Sequence, residues 1–113
     1  MNVAIVGTGF IASVHAKVIK GLGHNLELVI GRTEEGAGRF AKQWKGKKYG
    51  RDLEALNSDR IDVVHICTPP ALHFLAVKKS IEYGKHVLCE KPLCLDEEEA
   101  LELVKLSKDK DIH

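Results

Sequence analysis

Short apolar runs separated by longer stretches of helical period constrain the fold of this chain more than any other feature. Strands are expected at residues 3–6, 26–30, 61–67 and 86–89, with a weaker one at 48–50. The run Val63-Val64-His65-Ile66-Cys67 lacks the alternation of a half-exposed strand, so both of its faces are expected to be covered. Helices are expected from residue 10 to about 20, from 34 to about 44, over 71–83 and from Asp96 onward, with a short helical turn at 52–56. The first carries Ile11, Val14 and Val18 on one stripe. The third repeats Phe74, Val77 and Ile81 before a stop at Gly84. The second is the weakest, because Gly36 and Gly38 each cost a helix interior roughly 1 kcal/mol relative to Ala. In the last, Asp96 and Glu99 match a capping box, and Ala100, Leu103 and Val104 are expected to face inward. Its acids Glu97, Glu98 and Glu99 and its lysines Lys105, Lys108 and Lys110 suit the two ends of the helix dipole. Strand–helix alternation of this kind implies an α/β fold. It predicts a doubly wound, mostly parallel sheet of about five strands in one domain over residues 1–113.

Charge and length narrow the function. The 113 residues suffice for one small domain, and 17 Lys plus Arg against 16 Asp plus Glu leave a net charge of +1. A nucleic-acid binder needs a basic surplus to displace counterions, so nucleic acid is not an expected partner. No apolar run approaches the roughly 20 residues that cross a bilayer. The opening Met1-Asn2-Val3-Ala4 carries no basic leader, so no membrane partner is expected and a cytoplasmic location is. Cys67, Cys89 and Cys94 are sparse and without metal spacing, and they read as reduced thiols. His24 and His86 have no partner at ligand spacing, so no metal site is expected. His65 reads as a satisfied sheet residue. His15, one turn into the first helix, is open between pocket contact and packing. The basic residues Lys42, Lys45, Lys47, Lys48 and Arg51, offset by the acids of 97–102, read as solvated surface.

The first strand runs straight into Gly7-Thr8-Gly9-Phe10-Ile11-Ala12, a G-x-G-x-x-A turn that opens a helix. Gly7 permits a tight turn. Gly9 leaves room for a diphosphate to approach backbone N–H groups and the positive helix end, and Ala12 is small enough for close helix–strand packing. A glycine-rich turn alone can be a mere connection, but its place between a strand and a helix points to a dinucleotide. An NAD site usually carries an acid about 20 residues later that accepts from the ribose hydroxyls. Here Gly31 holds that place and is followed by Arg32 and Thr33. Loss of the carboxylate removes a repulsion, and a guanidinium can bind a 2′-phosphate, so the pattern favours NADP over NAD. The other reading of Arg32 is a solvated loop residue.

The fourth strand ends in Cys67-Thr68-Pro69-Pro70, followed shortly by His73. The fifth lies in Tyr83-Gly84-Lys85-His86-Val87-Leu88-Cys89-Glu90-Lys91-Pro92. In a doubly wound sheet, ligands bind beyond the carboxyl ends of the strands, so both segments belong beside the glycine turn. Together with that turn and His15, these blocks resemble the Gfo/Idh/MocA oxidoreductase family along essentially the whole chain, but only along the N-terminal half of that family. The resemblance implies hydride transfer between a nicotinamide cofactor and a sugar, cyclitol or related hydroxyl compound. By position, Lys91 is implied to hold or polarise the reacting oxygen, with Glu90 orienting it and contacting the cofactor. Thr68, Pro69 and His73, beside Cys67, are implied to wall the nicotinamide and diphosphate.

A cation in the crevice can stabilise a developing alkoxide; the bland alternative for Glu90 and Lys91 is an exposed ion pair worth well under 1 kcal/mol. The isomer of the Lys91–Pro92 bond stays open. Members of the family continue into a second domain that supplies most of the substrate pocket, whereas this chain stops at Lys110-Asp111-Ile112-His113, where a further strand would start. Turnover by the chain alone is therefore in doubt, and the last strand is expected to be an edge open to pairing, with self-association left open. The alternative function is a stand-alone, non-catalytic nucleotide- or partner-binding module. An S-adenosylmethionine fold is disfavoured, because it has no use for Glu90-Lys91-Pro92.

Overall fold

Successive residues of a strand point to opposite sides of a sheet, and the opening strand β1 (Asn2–Val6) does so between two cores. Val3 and Ile5 join one buried cluster, whereas Ala4 and Val6 join the other. The structure, a computed structural model, describes residues 1–91, 93 and 96–113. Its elements follow in the order β1, α1 (Phe10–Gly21), β2 (Asn25–Ile30), α2 (Glu34–Trp44), β3 (Lys48–Gly50), β4 (Val63–Ile66), α3 (His73–Glu82), β5 (His86–Cys89) and α4 (Glu97–Lys110). Two 3₁₀ turns, Leu53–Leu56 and Pro70–Leu72, precede β4 and α3. The sheet has five strands in the order β3-β2-β1-β4-β5, and every pairing is parallel. The doubly wound fold expected from the alternation of apolar runs is thus the fold observed. Its Cα radius of gyration, 13.1 Å, is close to the roughly 13 Å of a compact chain this long.

Helices α1 and α2 cover the face of Val3, Ile5 and Val29, and α3 and α4 lie on the other face with Val6, Ile30, Val64 and Ile66. Despite its two glycines, α2 forms. Thr33 accepts from the Gly36 N–H at 3.0 Å, and Ala37, Phe40 and Ala41 are buried against the sheet. Burial of this kind, about 0.8 kcal/mol per methylene, outweighs the propensity loss. Asp96 caps α4 by accepting from the Glu99 N–H at 2.8 Å.

Three expectations about faces and boundaries change. The Ile11, Val14 and Val18 stripe of α1 is exposed, and the buried positions are Ala12, Ala16 and Ile19. Small alanines let the helix lie close to the strands, which larger side chains would hold off. Val104 likewise faces out, leaving Leu103 as the fully buried residue of α4. The fourth strand is shorter than 61–67. Ile61 is buried ahead of it, and Cys67 continues the ladder by donating its N–H to the Val6 carbonyl at 2.8 Å. At the β5 edge, Val87 N–H donates to the His113 carbonyl at 2.7 Å. Pro92, with its peptide bond to Lys91, and Cys94 lie outside the described residues. Among the described residues, no helix is long and apolar enough to cross a membrane, and no cluster of three His, Cys, Asp or Glu could hold a metal ion.

Candidate functional site: a cleft at the carboxyl edge of the sheet

Helices α1 and α2 lie on one face and α3 on the other, so the strand order reverses between the neighbours β1 and β4 and opens a crevice above their carboxyl ends. A cleft of about 1020 Å³ lies there. Its walls come from Gly7 to Ile11, from Ile30 to Arg32 after β2, from Arg51 to Leu53 after β3, and from Cys67 to Pro69 after β4. Leu72 and Leu75 add an apolar side. That volume lies at the upper end of ordinary small-molecule pockets, about 300–1,000 Å³.

The glycine turn is built as its sequence requires. Gly7 has φ +114°, and a Cβ there would stand 2.8 Å from the Cys67 carbonyl oxygen. Gly9 is the N-cap of α1, and a Cβ there would meet nothing within 4 Å, so the space above it is open. The first helical bond of α1 runs from Ser13 N–H to the Gly9 carbonyl at 3.1 Å. The amides of Phe10, Ile11 and Ala12 are then without an intrahelical acceptor. Caps Thr33 and Asp96 and first-turn glutamates fill this role in α2 and α4, but α1 has neither a side-chain cap nor a first-turn acid. Bare amides at the positive end of a helix dipole suit an anion such as a diphosphate.

The wall after β4 is held from behind. His73 is buried in α3, and its Nε2–H donates to the Thr68 carbonyl at 2.6 Å. It therefore props the wall, and it does not line the cleft. The Thr68 hydroxyl is buried with no hydrogen-bond partner among the described residues. Such an orphan costs about 1–3 kcal/mol, and a ligand that pairs with it recovers that cost. Burial first, then the charge of Glu90 and the neighbouring Cys89, push the Cys67 thiol up to about 12. It stays protonated and places no negative charge against a bound anion. The open cradle at Gly9, the bare amides of α1 and the orphaned Thr68 hydroxyl all fit a bound dinucleotide.

Thr33, Glu90 and Lys91 do not line this cleft. Thr33 caps α2. Glu90 is placed by its N–H bond to the Ile66 carbonyl at 3.0 Å, and its carboxylate accepts from His15 Nε2 at 2.5 Å. Among the described residues, no ion pair joins Glu90 to the exposed Lys91. His15 Nδ1 in turn meets His65 Nδ1 at 2.9 Å, one nitrogen donating and the other accepting. The Glu90–His15–His65 chain escapes a sequence reading because its members come from three elements. The only hint is a histidine inside an otherwise apolar strand.

Burial first, then the charge of His15, hold the His65 imidazole down to about 4 from its usual 6.5. The folded state thus refuses a proton that the unfolded chain accepts below about 6.5, and stability is lost as pH falls from there toward about 4. His65→Gln is expected to flatten this decline by up to about one proton. Urea midpoints at a series of pH values between these limits give the slopes, and equal slopes in both proteins would refute the assignment.

Sequence reasoning also missed Arg51, which it left among solvated surface charges. The residue lines the cleft one position beyond β3, and its Nε–H donates to the Arg32 carbonyl at 3.1 Å.

Comparison with known proteins agrees with this geometry. A match to the oxidoreductase family with an NAD-binding Rossmann fold, Gfo/Idh/MocA, spans residues 1–112. The scyllo-inositol 2-dehydrogenase (NADP(+)) IolU of Bacillus subtilis is 34% identical over 107 residues, covering 93% of this chain and 33% of its own length. An NAD binding oxidoreductase from Klebsiella pneumoniae superposes with a TM-score of 0.94 at 28% identity, over 99% of this chain and 32% of that one. Biliverdin reductase from Synechocystis sp. PCC 6803, solved with biliverdin and NADP+, gives 0.89 at 30% identity, over 98% and 35%. The chain spans about a third of the length of the relatives it matches. From the glycine turn through the Glu90-Lys91 segment, the chain belongs to the Gfo/Idh/MocA oxidoreductase family, whose NAD-binding Rossmann domain it forms.

Proposed function

We propose that this domain binds NADP(H) in preference to NAD(H), within an oxidoreductase that acts on a sugar, cyclitol or related hydroxyl compound. One observation carries the coenzyme preference: the site of the usual ribose-binding acid is held by a glycine in crowded surroundings. A Cβ on Gly31 would stand 3.0 Å from Thr8 Cγ2 and 3.1 Å from Ala37 Cβ. With that position held by glycine, no carboxylate from position 31 opposes a 2′-phosphate, and Arg32 lies at the cleft to pair with one. An inositol dehydrogenase and a biliverdin reductase among the similar proteins, one named for NADP(+) and one solved with NADP+, support this reading.

In this reading Gly7, Thr8 and Gly9, with the amides of Phe10 and Ile11, hold the diphosphate. Arg32, beside the Thr33 cap, takes the adenosine ribose. Cys67, Thr68 and Pro69 wall the nicotinamide, and His73 fixes Thr68 in place. Glu90, tied down by His15, and Lys91 flank the cleft beyond its wall, and Lys91 steadies the reacting oxygen of the substrate by its charge. The bound dinucleotide supplies the hydride donor or acceptor. Calorimetric titration with NADPH and NADH tests the preference. NADPH is expected to bind more tightly, and Arg32→Ala to narrow the gap about tenfold, the scale of one or two charged hydrogen bonds. Equal affinities in the unaltered chain would refute it.

A further inference from the structure

The ends of β2 and β3 lie side by side. Ile30 pairs with Gly50, and Gly31 N–H closes the ladder on the Gly50 carbonyl at 2.9 Å. Arg32 and Arg51 therefore leave adjacent parallel strands at the same edge, and both line the cleft. The bond from Arg51 Nε–H to the Arg32 carbonyl anchors one edge of the Arg51 guanidinium, leaving its terminal nitrogens to other partners. No ion pair neutralises either arginine among the described residues. The nearest acid in the chain, Asp52, has one carboxylate oxygen engaged by the Glu54 N–H at 2.9 Å. Two guanidiniums that no carboxylate among the described residues neutralises give this mouth a positive charge, and a dianion bound there is attracted by both. A phosphate monoester carries close to two charges at neutral pH and accepts from arginine in the forked, bidentate geometry.

We propose that Arg51 is a second ligand of the phosphate on the adenosine ribose, independent of the Arg32 side chain. Selectivity for NADP(H) is then set by the end of β3 as well as that of β2. This rests on the NADP(H) reading above, and it separates from that reading experimentally. The anchoring bond uses the backbone carbonyl of Arg32, so it persists in Arg32→Ala and leaves Arg51 in position.

Calorimetry on the full chain with NADPH, NADH, adenosine 2′,5′-bisphosphate and 5′-AMP provides the test. Arg51→Ala is expected to weaken NADPH and the bisphosphate about tenfold while NADH and 5′-AMP change by less than about twofold. The preference remaining in Arg32→Ala is expected to vanish when Arg51→Ala is added. Arg51→Lys, which keeps the charge without the anchored fork, should recover only part of the loss. Arg51 is exposed, so circular dichroism and melting temperature should not move. If the unaltered chain prefers NADPH but Arg51→Ala leaves the preference intact, or weakens all four ligands alike, the role of Arg51 is refuted and the NADP(H) reading stands. If the unaltered chain does not distinguish NADPH from NADH, both fall.

Discussion

Gly9→Asp is expected to abolish coenzyme binding in a chain that folds as well as before. The backbone at Gly9 has φ −83°, open to any L residue, and nothing lies within 4 Å of an added Cβ. Aspartate is a favoured helix N-cap, so α1 gains a side-chain cap that it lacks at present. The same carboxylate fills the cradle and satisfies the amides that would otherwise hold the diphosphate. At about 4 Å from a phosphate charge, and at an effective dielectric of about 20, its repulsion is about 4 kcal/mol, close to a thousandfold in affinity. Calorimetry should therefore detect no binding of either nucleotide, while the melting temperature stays level or rises slightly. Affinity within about threefold of the unaltered chain would show that the diphosphate does not sit on this turn.

Two residues earlier, the same kind of change strikes the fold. Gly7→Ala forces a φ of +114° on a residue with a side chain, and it sets a Cβ 2.8 Å and 2.9 Å from the oxygen and carbon of the Cys67 carbonyl. The neighbouring backbone has little freedom to retreat. Gly7 N–H is bonded to the Ile30 carbonyl at 2.8 Å, and Cys67 N–H to Val6 at 2.8 Å, so the turn is tied to both flanking strands. Backbone strain of about 1–3 kcal/mol adds to overpacking of about 1–3 kcal/mol. A loss near 3 kcal/mol should lower the melting temperature by roughly 15 °C in a chain of this size. A fall of less than about 3 °C would mean that the turn relaxes, and that Gly7 is not fixed by β4. Paired with Gly9→Asp, the measurement divides one motif into a glycine that the fold requires and a glycine that the ligand requires.

The readability of the site follows how local each cause is. The glycine turn, the position of Gly31 before Arg32 and the cap at Asp96 depend on residues adjacent in the chain, and all were legible there. The face of α1 was not. Counting apolar residues singles out Ile11, Val14 and Val18, but close approach to the sheet selects the smaller Ala12 and Ala16, and that choice exists only once the sheet does. Arg51 looked like one more surface charge, because its meaning depends on the pairing of β3 with β2. Glu90 reads naturally as the partner of the adjacent Lys91, yet its carboxylate turns to His15, which is distant in sequence and near in space.

The amino-acid order alone therefore determined the α/β class, the parallel sheet, the glycine turn between β1 and α1 and the family, since each rests on periodicity or on contiguous residues. Tertiary structure alone decided which side of α1 is buried, which histidines join Glu90 in a hydrogen-bonded chain, and that two arginines line one cleft. Those depend on distances between strands and helices that only packing sets, and a linear pattern carries no such distances.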